Sequence, residues 1–294
     1  MPTYPFMQVD AFTTRALGGN PCAIVFDCPQ LEDASMLAIA REMNLSETAF
    51  TWQKNDGNFR ARYFTPAEEI PLAGHPTIAT AFALVESGRL EVDEYRKISL
   101  ELRDGPIDVE IFAKHGQVEN IVMSQRRPQF LRIYNPEKVL PAFGLSPEDV
   151  VPGALIQTVS TGTPQIMIPL KNKQALKRAY LDFNKYVELR QNGDFFSPHL
   201  FCLEGMENGA TFARHFGVPP DTMEDPFTGS ATGGMAAYLW HYGLIDERNF
   251  IAEQGHWMGR PGQAQVEIIG SRDAIETVKV GGSAVCVIKG ELII

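Results

Sequence analysis

The chain has 294 residues, a length that predicts about two domains, and its 44% hydrophobic and 21% charged residues are typical of globular proteins. The net charge of −10 argues against a nucleic-acid partner, because such binding depends on lysine and arginine neutralising phosphates. No apolar run approaches the ~18 residues that cross a bilayer, so no membrane partner is expected. Four cysteines without a C-x-x-C pair indicate reduced thiols and a cytoplasmic location.

Short strands dominate the predicted elements, with one amphipathic helix near the start. Residues 31–43 carry apolar side chains at helical spacing. Most of the other periodic segments alternate between apolar and polar residues, as strands of an antiparallel sheet do. The predicted strands are residues 7–13, 23–26, 48–52, 59–64, 98–102, 107–112 and 118–123.

Two further helices are predicted to be buried. Residues 78–85 and 235–240 are apolar on nearly every side, and a helix that is apolar all round is buried all round. We therefore expect an α+β fold with two similar domains, each a barrel-like, mostly antiparallel sheet around a central buried helix.

An internal repeat supports two domains. The residues that precede and begin the two buried helices match in order, and flanking blocks 57–64 and 103–111 match 209–216 and 260–268 at nearly the same spacing. The predicted domains are residues 1–126 and 127–294, and the C-terminal tail is allowed to cross back to the first. A shared site between the two copies follows from the repeat. The matched residues at the helix starts are Pro71 with Pro226, Gly74 with Gly229 and Thr77 with Thr232.

The glycines at the two helix starts predict anion binding. The first N–H groups of a helix have no partner within it, and the helix dipole adds positive potential there. Glycine lets a ligand approach the backbone closely. Gly74 and Gly229 therefore each favour a bound carboxylate or oxyanion, although ordinary helix capping and tight packing would explain one of them alone.

Three titratable side chains lie near these helix starts. Glu47 is flanked by apolar residues, so partial burial could raise its pKa toward that of a general base. His75 could carry a proton, and Asp225 directly precedes the second helix start. Each also has a structural interpretation: a surface or loop-capping glutamate, a helix-start histidine, and a turn-forming aspartate before proline.

Several segments together resemble a known family. The segments 46–50 (SETAF), 74–77 (GHPT) and 224–231 (EDPFTGSA) resemble signature segments of the PhzF (phenazine biosynthesis-like) family, and 9–13 and 19–21 also fit. The resemblance implies the diaminopimelate epimerase fold, with the active site between two domains. It also implies that no pyridoxal phosphate, nucleotide or metal is needed. The phenazine-pathway member of the family isomerises trans-2,3-dihydro-3-hydroxyanthranilate.

The resemblance also implies residue roles. Glu47 matches the catalytic acid/base, and His75 and Asp225 match residues that hold the substrate and assist proton movement. Cysteine-dependent relatives of this fold place thiols at the helix starts, where this chain has Ala73 and Thr228. The substrate-binding set implied by the resemblance is Ser46, Gly74, Gly229 and Ser230.

We therefore expect a cofactor-independent isomerase that moves a proton within a small carboxylate-bearing substrate, with a homodimer as the expected assembly. One alternative is an epimerase or racemase of an amino-acid-like substrate, in which Glu47 works with a second base. His199 follows Glu47 at a spacing of 152 residues, which is the spacing of one repeated block, but a strand histidine is the favoured interpretation. Another is a non-catalytic binding protein that kept the fold. A cysteine hydrolase using Cys22 or Cys202 is a third, without a recognisable motif.

Overall fold

The strands form one continuous, curled network that encloses a long helix in each half of the chain. The computed structural model describes residues 1–54, 56–218 and 221–294. The first eight strands are β1 (Thr3–Ala11), β2 (Asn20–Phe26), β3 (Glu47–Gln53), β4 (Phe59–Phe64), β5 (Glu69–Ile70), β6 (Tyr95–Leu102), β7 (Gly105–Lys114) and β8 (Gln117–Ser124). They are followed by β9 (Gln129–Tyr134), β10 (Ile156–Ser160), β11 (Pro164–Pro169), β12 (Ser197–Cys202), β13 (Thr211–Phe216), β14 (Glu224–Asp225), β15 (Asn249–Gln254), β16 (Gly262–Ser271), β17 (Ala274–Gly282) and β18 (Ala284–Ile293).

The helices are few. They are α1 (Asp33–Met43), α2 (Gly74–Glu86), α3 (Pro136–Val139), α4 (Lys173–Arg178), α5 (Phe183–Gln191) and α6 (Gly229–His241), with short 3-10 turns at Leu140–Phe143, Pro147–Asp149 and His256–Met258. Across the described residues, none is both long and apolar enough to span a membrane.

The two halves have the same strand pairing, which confirms the predicted pair of similar domains. In the first half, β2 and β3 pair parallel, as do β4 and β6, while the other neighbours from β1 to β8 pair antiparallel. The strands β10 to β17 repeat this order, with β11–β12 and β13–β15 as the parallel pairs. The sheets are therefore mostly antiparallel, as expected.

The halves are also joined through their last strands. The strand β18 follows the second half but pairs with β1, and β9 follows the first half but pairs with β10. A third contact pairs β8 with β17. We propose that the boundary predicted at residues 126 and 127 separates the two units, with β18 completing the first one.

The helices α2 and α6 form the centre of each half. Every residue from Gly74 to Leu84 is buried, and so is every residue from Gly229 to Trp240. Their side chains are mostly small and apolar, so each curled sheet can close around its helix. Burying an apolar side chain breaks no hydrogen bonds to water, whereas a buried polar group needs new hydrogen-bond partners. The prediction of two buried helices is confirmed.

The N-termini of these two helices meet. A methyl group on Gly74 would lie 2.7 Å from the amide nitrogen of Ser230 and 2.8 Å from Cα of Gly229. One on Gly229 would lie 2.9 Å from Cζ of Phe12 and 3.3 Å from Cα of Gly74. Real side chains do not approach backbone atoms so closely, so glycine is required for the two helix starts to touch.

Replacing Gly74 by alanine should therefore destabilise the protein, by about 1–3 kcal/mol, because the new methyl group meets backbone that cannot move aside cheaply. The matched control is Gly290→Ala in β18, where a methyl group would meet nothing within 4 Å and should change stability by less than about 0.5 kcal/mol. The measurement is the urea midpoint of each variant. Equal midpoints for the two variants would contradict the close approach of the helices.

Candidate active site

Glu47 follows the short connection between helix α1 and strand β3. Helix α1 ends at Asn44, whose left-handed backbone (φ 50°) turns the chain toward β3. Glu47 is the first residue of β3, beside Cys22 of β2. Its side chain is 17% exposed, and Oε2 lies 3.3 Å from Nδ1 of His75. The local sequence thus brings a carboxyl group to the start of α2.

Asn20 connects the two halves at this site. It is fully buried, and its Nδ2 donates to Oδ1 of Asp225 at 2.8 Å and to the carbonyl of Phe227 at 2.8 Å. The same nitrogen lies 3.0 Å from Nδ1 of His75. Sequence reasoning gave Asn20 no role. The repeated tripeptide, Gly-Asn-Pro at 19–21 and Gly-Thr-Pro at 162–164, was the signal that could have found it.

Asp225 is held by hydrogen-bond donors. Besides Asn20, it accepts from the hydroxyl of Ser46 at 2.7 Å and from that of Thr228 at 2.5 Å. Burial raises the pKa of Asp225, while these three donors oppose the rise. Donors that point at a carboxylate favour its charged form, so the surroundings of Asp225 favour ionisation more than those of Glu47 do.

The surroundings of Glu47 oppose its ionisation. Burial raises its pKa well above the ordinary value of 4.5, and the charges of Asp225 and Asp221 raise it further. Its Oε2 accepts no hydrogen bond within the described structure, so no donor stabilises a charge there. Two nearby carboxyl groups whose surroundings push their pKa values apart form an acid and a base in one site.

His75 is neutral. It is 3% exposed, and burial lowers its pKa to about 3. Its Nδ1 lies 3.0 Å from Nδ2 of Asn20, and its Nε2 has no hydrogen-bond partner among the described residues. Because the ring is neutral, the 3.3 Å approach of Glu47 to Nδ1 is not an ion pair.

The cleft draws its lining from both halves. Of the predicted site residues, Ser46, Glu47, Asp225 and Ser230 line it directly. His75, Gly74 and Gly229 are not part of the lining, and the neighbours Ala73 and Thr228 are. The second half adds polar residues that sequence reasoning missed, which are Thr163, Gln165, Ser197, His215, Asp221 and Thr222.

Glu47, His75 and Asp225 each place one potential metal-ligating atom within 4.8 Å of the others. Both Asp225 oxygens already accept hydrogen bonds from neighbouring side chains, which fits a shared proton better than a cation. A second such group, Glu207, Glu253 and His256, lies elsewhere, and Glu207 and His256 line a larger cavity of about 320 Å³. The Glu253 carboxylate there is already held by the backbone amides of residues 206–209, so its role is structural.

His199 is not the counterpart of Glu47. The cross-strand pair His199–His215 occupies the place of Ala49–Tyr63, since His215 pairs with Asp225 as Tyr63 pairs with Ile70. The residue equivalent to Glu47 is therefore Ser197. The match of His199 to Glu47 at constant spacing was wrong, because the β12–β13 hairpin is longer than the β3–β4 hairpin.

The cysteines are not arranged for nucleophilic chemistry. Cys22, Cys28 and Cys202 are buried, Cys286 is partly buried, and all four are free. Burial raises the pKa of Cys28 to about 12 and that of Cys202 to about 11. Burial also raises the pKa of Cys22 well above its ordinary value. Reactive cysteines need the opposite surroundings, so the hydrolase alternative has no support.

The raised pKa of Glu47 has a consequence for stability. In the unfolded chain Glu47 ionises near 4.5, whereas the folded protein resists its ionisation, so the native side chain costs stability as pH rises above that value. Glu47→Gln removes this cost. The variant should be more stable than wild type at pH 7, and the difference should vanish toward pH 4.

Urea unfolding of wild type and Glu47→Gln between pH 4 and pH 8 measures this difference. The control is Glu253→Gln, where backbone hydrogen bonds lower the carboxyl pKa and the variant should lose stability above pH 4. A Glu47→Gln variant that is less stable than wild type at pH 7 would contradict the protonated carboxyl group.

Comparison with known proteins also finds similarity to isomerases and to PhzF-family structures. A family model described as phenazine biosynthesis-like protein matches residues 9–290. A Bacillus subtilis protein named uncharacterized isomerase YfhB is 34% identical over 265 residues, which cover 89% of each chain. A Pseudomonas aeruginosa trans-2,3-dihydro-3-hydroxyanthranilate isomerase is 31% identical over 290 residues, covering 97% of this chain and 98% of that one. The crystal structure of a Bacillus anthracis PhzF-family protein matches with a TM-score of 0.87 at 30% identity and covers all of both chains.

Proposed function

This chain belongs to the phenazine biosynthesis-like protein family and is an isomerase, and we propose that Glu47 moves a proton between two carbon atoms of a small carboxylate-bearing substrate. The observation that carries this proposal is the pair of carboxyl groups at the cleft. Their surroundings favour the charge on Asp225 and the proton on Glu47, and the two groups lie within 4.8 Å of each other and next to a neutral His75.

In the proposed reaction the ionised form of Glu47 acts first as a base, and the protonated form that results then acts as an acid. Its raised pKa lets the carboxylate take a proton from an acidic carbon and return it at another position of the same molecule. A single group that both removes and returns the proton needs no cofactor. Asp225 helps to keep the transferred proton on Glu47, because its charge opposes a second negative charge nearby.

The meeting helix starts are proposed to hold the substrate carboxylate. Their N–H groups and dipoles create positive potential at the boundary between the halves, close to Ser230 and Thr228. Gln165 donates to the hydroxyl of Ser230 at 3.2 Å and fixes its position. An anion held there would also stabilise two helix starts that otherwise repel each other.

The epimerase alternative would need a second base opposite Glu47. The equivalent position in the second half is Ser197, a hydroxyl that is a poor base, and Ala73 and Thr228 provide no thiols at the helix starts. The arrangement therefore favours one proton shuttle over two bases. A non-catalytic binding protein would have no use for a protonated Glu47.

The substrate that we propose resembles trans-2,3-dihydro-3-hydroxyanthranilate, on which the Pseudomonas aeruginosa relative acts by its name. The free thiols favour a reducing compartment, so we propose a cytoplasmic enzyme. A homodimer stays a prediction that size measurements in solution would test.

Glu47→Gln should lower kcat by about 10²- to 10⁴-fold, because glutamine keeps the shape of the side chain and removes its basicity. The assay is incorporation of solvent deuterium into trans-2,3-dihydro-3-hydroxyanthranilate and other small acids, and binding of the acid should change little. A variant without cysteines serves as the control and should keep its activity. Unchanged exchange in Glu47→Gln, or lost exchange in the folded cysteine-free protein, would refute the assignment.

The pH profile of kcat/KM separates the two carboxyl groups. Activity needs ionised Glu47, so it should fall as pH decreases through a pKa above 4.5. Asp225→Asn removes the charge that raises this pKa while keeping an oxygen that accepts from Ser46. The acid limb of the variant should therefore lie at lower pH than that of wild type. A limb that stays in place would show that Asp225 does not set the pKa of Glu47.

A further inference from the structure

Two histidines face each other in the second half, where the first half has a small residue and a tyrosine. His199 of β12 and His215 of β13 are directly opposite across the strands, as Ala49 and Tyr63 are in β3 and β4. Tyr63 is a core residue, and its hydroxyl contacts that of Thr77 in α2 at 3.1 Å. The second half thus has two imidazole rings at positions where the first half is packed without any histidine.

The two rings lie within hydrogen-bond distance of each other. Their Nδ1 atoms are 3.3 Å apart and their centroids 5.5 Å apart. His199 is completely buried and its Nε2 has no partner among the described residues. Burying such a group costs stability, and an unexplained cost of this kind calls for a function.

The missing partner decides which ring carries which hydrogen. Both rings are neutral, because burial lowers the pKa of each. If Nε2 of His199 carried the hydrogen, a buried N–H group would be left without an acceptor, which is rarer in proteins than a bare lone pair. The hydrogen of His199 is therefore on Nδ1 and is donated to Nδ1 of His215.

This donation leaves the hydrogen of His215 on Nε2. The Nδ1 edge of the His215 ring is turned to His199, so the opposite edge, which carries Nε2, is the part that can face the cleft. His215 lines that cleft and is paired with Asp225 across β13 and β14. The ring retains 5% exposure, whereas His199 retains none.

We propose that His215 is a substrate-binding residue that donates its Nε2 hydrogen to an oxygen atom of the bound acid, and that His199 is the positioning residue that sets the tautomer of His215. The acceptor would be a carboxylate, carbonyl or hydroxyl oxygen on the side of the substrate that faces the second half. This inference rests on the proposed function only in assuming that the cleft binds a small acid.

The first test reads the tautomers in the free enzyme. Long-range ¹H–¹⁵N spectra of the full-length protein labelled with ¹⁵N-histidine should show the hydrogen on Nε2 of His215 and on Nδ1 of His199. Spectra of His215→Gln and His199→Asn assign the signals. A hydrogen on Nδ1 of His215 would overturn the proposal, whether or not the protein turns over any substrate.

The second test is a titration of the same sample with anthranilate, an aromatic amino carboxylate. The Nε2 signal of His215 should shift as anthranilate binds, which a purely structural histidine would not do. No shift up to the solubility limit of anthranilate would overturn the proposal. Because neither readout uses turnover, failure here is distinct from a failure of the deuterium-exchange assay.

The variants form matched pairs. His215→Phe removes the donor and should weaken anthranilate binding by about 5- to 100-fold, the loss typical of an unpaired group, while His215→Gln keeps an N–H group near the Nε2 position and should recover most of it. His199→Leu should weaken binding and His199→Asn, which keeps a donor near Nδ1, should restore it. Tyr63→Phe, at the equivalent place in the first half, is the control and should bind normally. Equal binding by His215→Phe and wild type would overturn the proposal.

Discussion

The contact between the N-termini of α2 and α6 is the constraint on which the rest of the structure depends. Two helices that meet at their positive ends repel each other. At positions 74 and 229, a side chain larger than that of glycine would collide with neighbouring atoms. The negative charge of Asp225, beside this contact, offsets part of that repulsion. The same geometry places Glu47 and His75 of the first half against Asp225 of the second, so the site exists only where the halves meet.

The repeat explains the shape of the site, and its departures explain the chemistry. Asp225 occupies the position of Ile70, Ser197 that of Glu47, and Ser230 that of His75. Each half therefore contributes a different function at equivalent positions. One half supplies the carboxyl group with the strongly raised pKa and the other supplies a charge that helps to raise it, which suits a proton shuttle within one substrate better than an exchange between two equal bases.

Much of the fold could be predicted from local patterns. The strand Phe59–Phe64 was predicted with its observed bounds, and the buried helices were recognised because they are apolar on every side. The exchange of β9 and β18 between the halves is a long-range pairing that no local pattern encodes.

Site residues that belong to a recognisable motif could be predicted from the sequence. Site residues that gain their role only through long-range contacts could not. Glu47 and Asp225 stood in recognisable segments, whereas Asn20 gains its role only because folding brings it within 2.8 Å of Asp225. His199 was compared with the wrong residue because constant spacing cannot detect a longer hairpin. The pairing register, once known, corrected this and revealed His215.

The most direct test of this account is the ionisation of Glu47 itself, followed by isotope-edited infrared spectroscopy of the free enzyme. The carboxylic-acid band that disappears in Glu47→Gln should persist to a pH well above 4.5, after the exposed carboxyl groups have lost theirs. A Glu47 band that is lost together with those of the exposed groups would contradict the claim that the meeting of the two halves keeps a proton on Glu47.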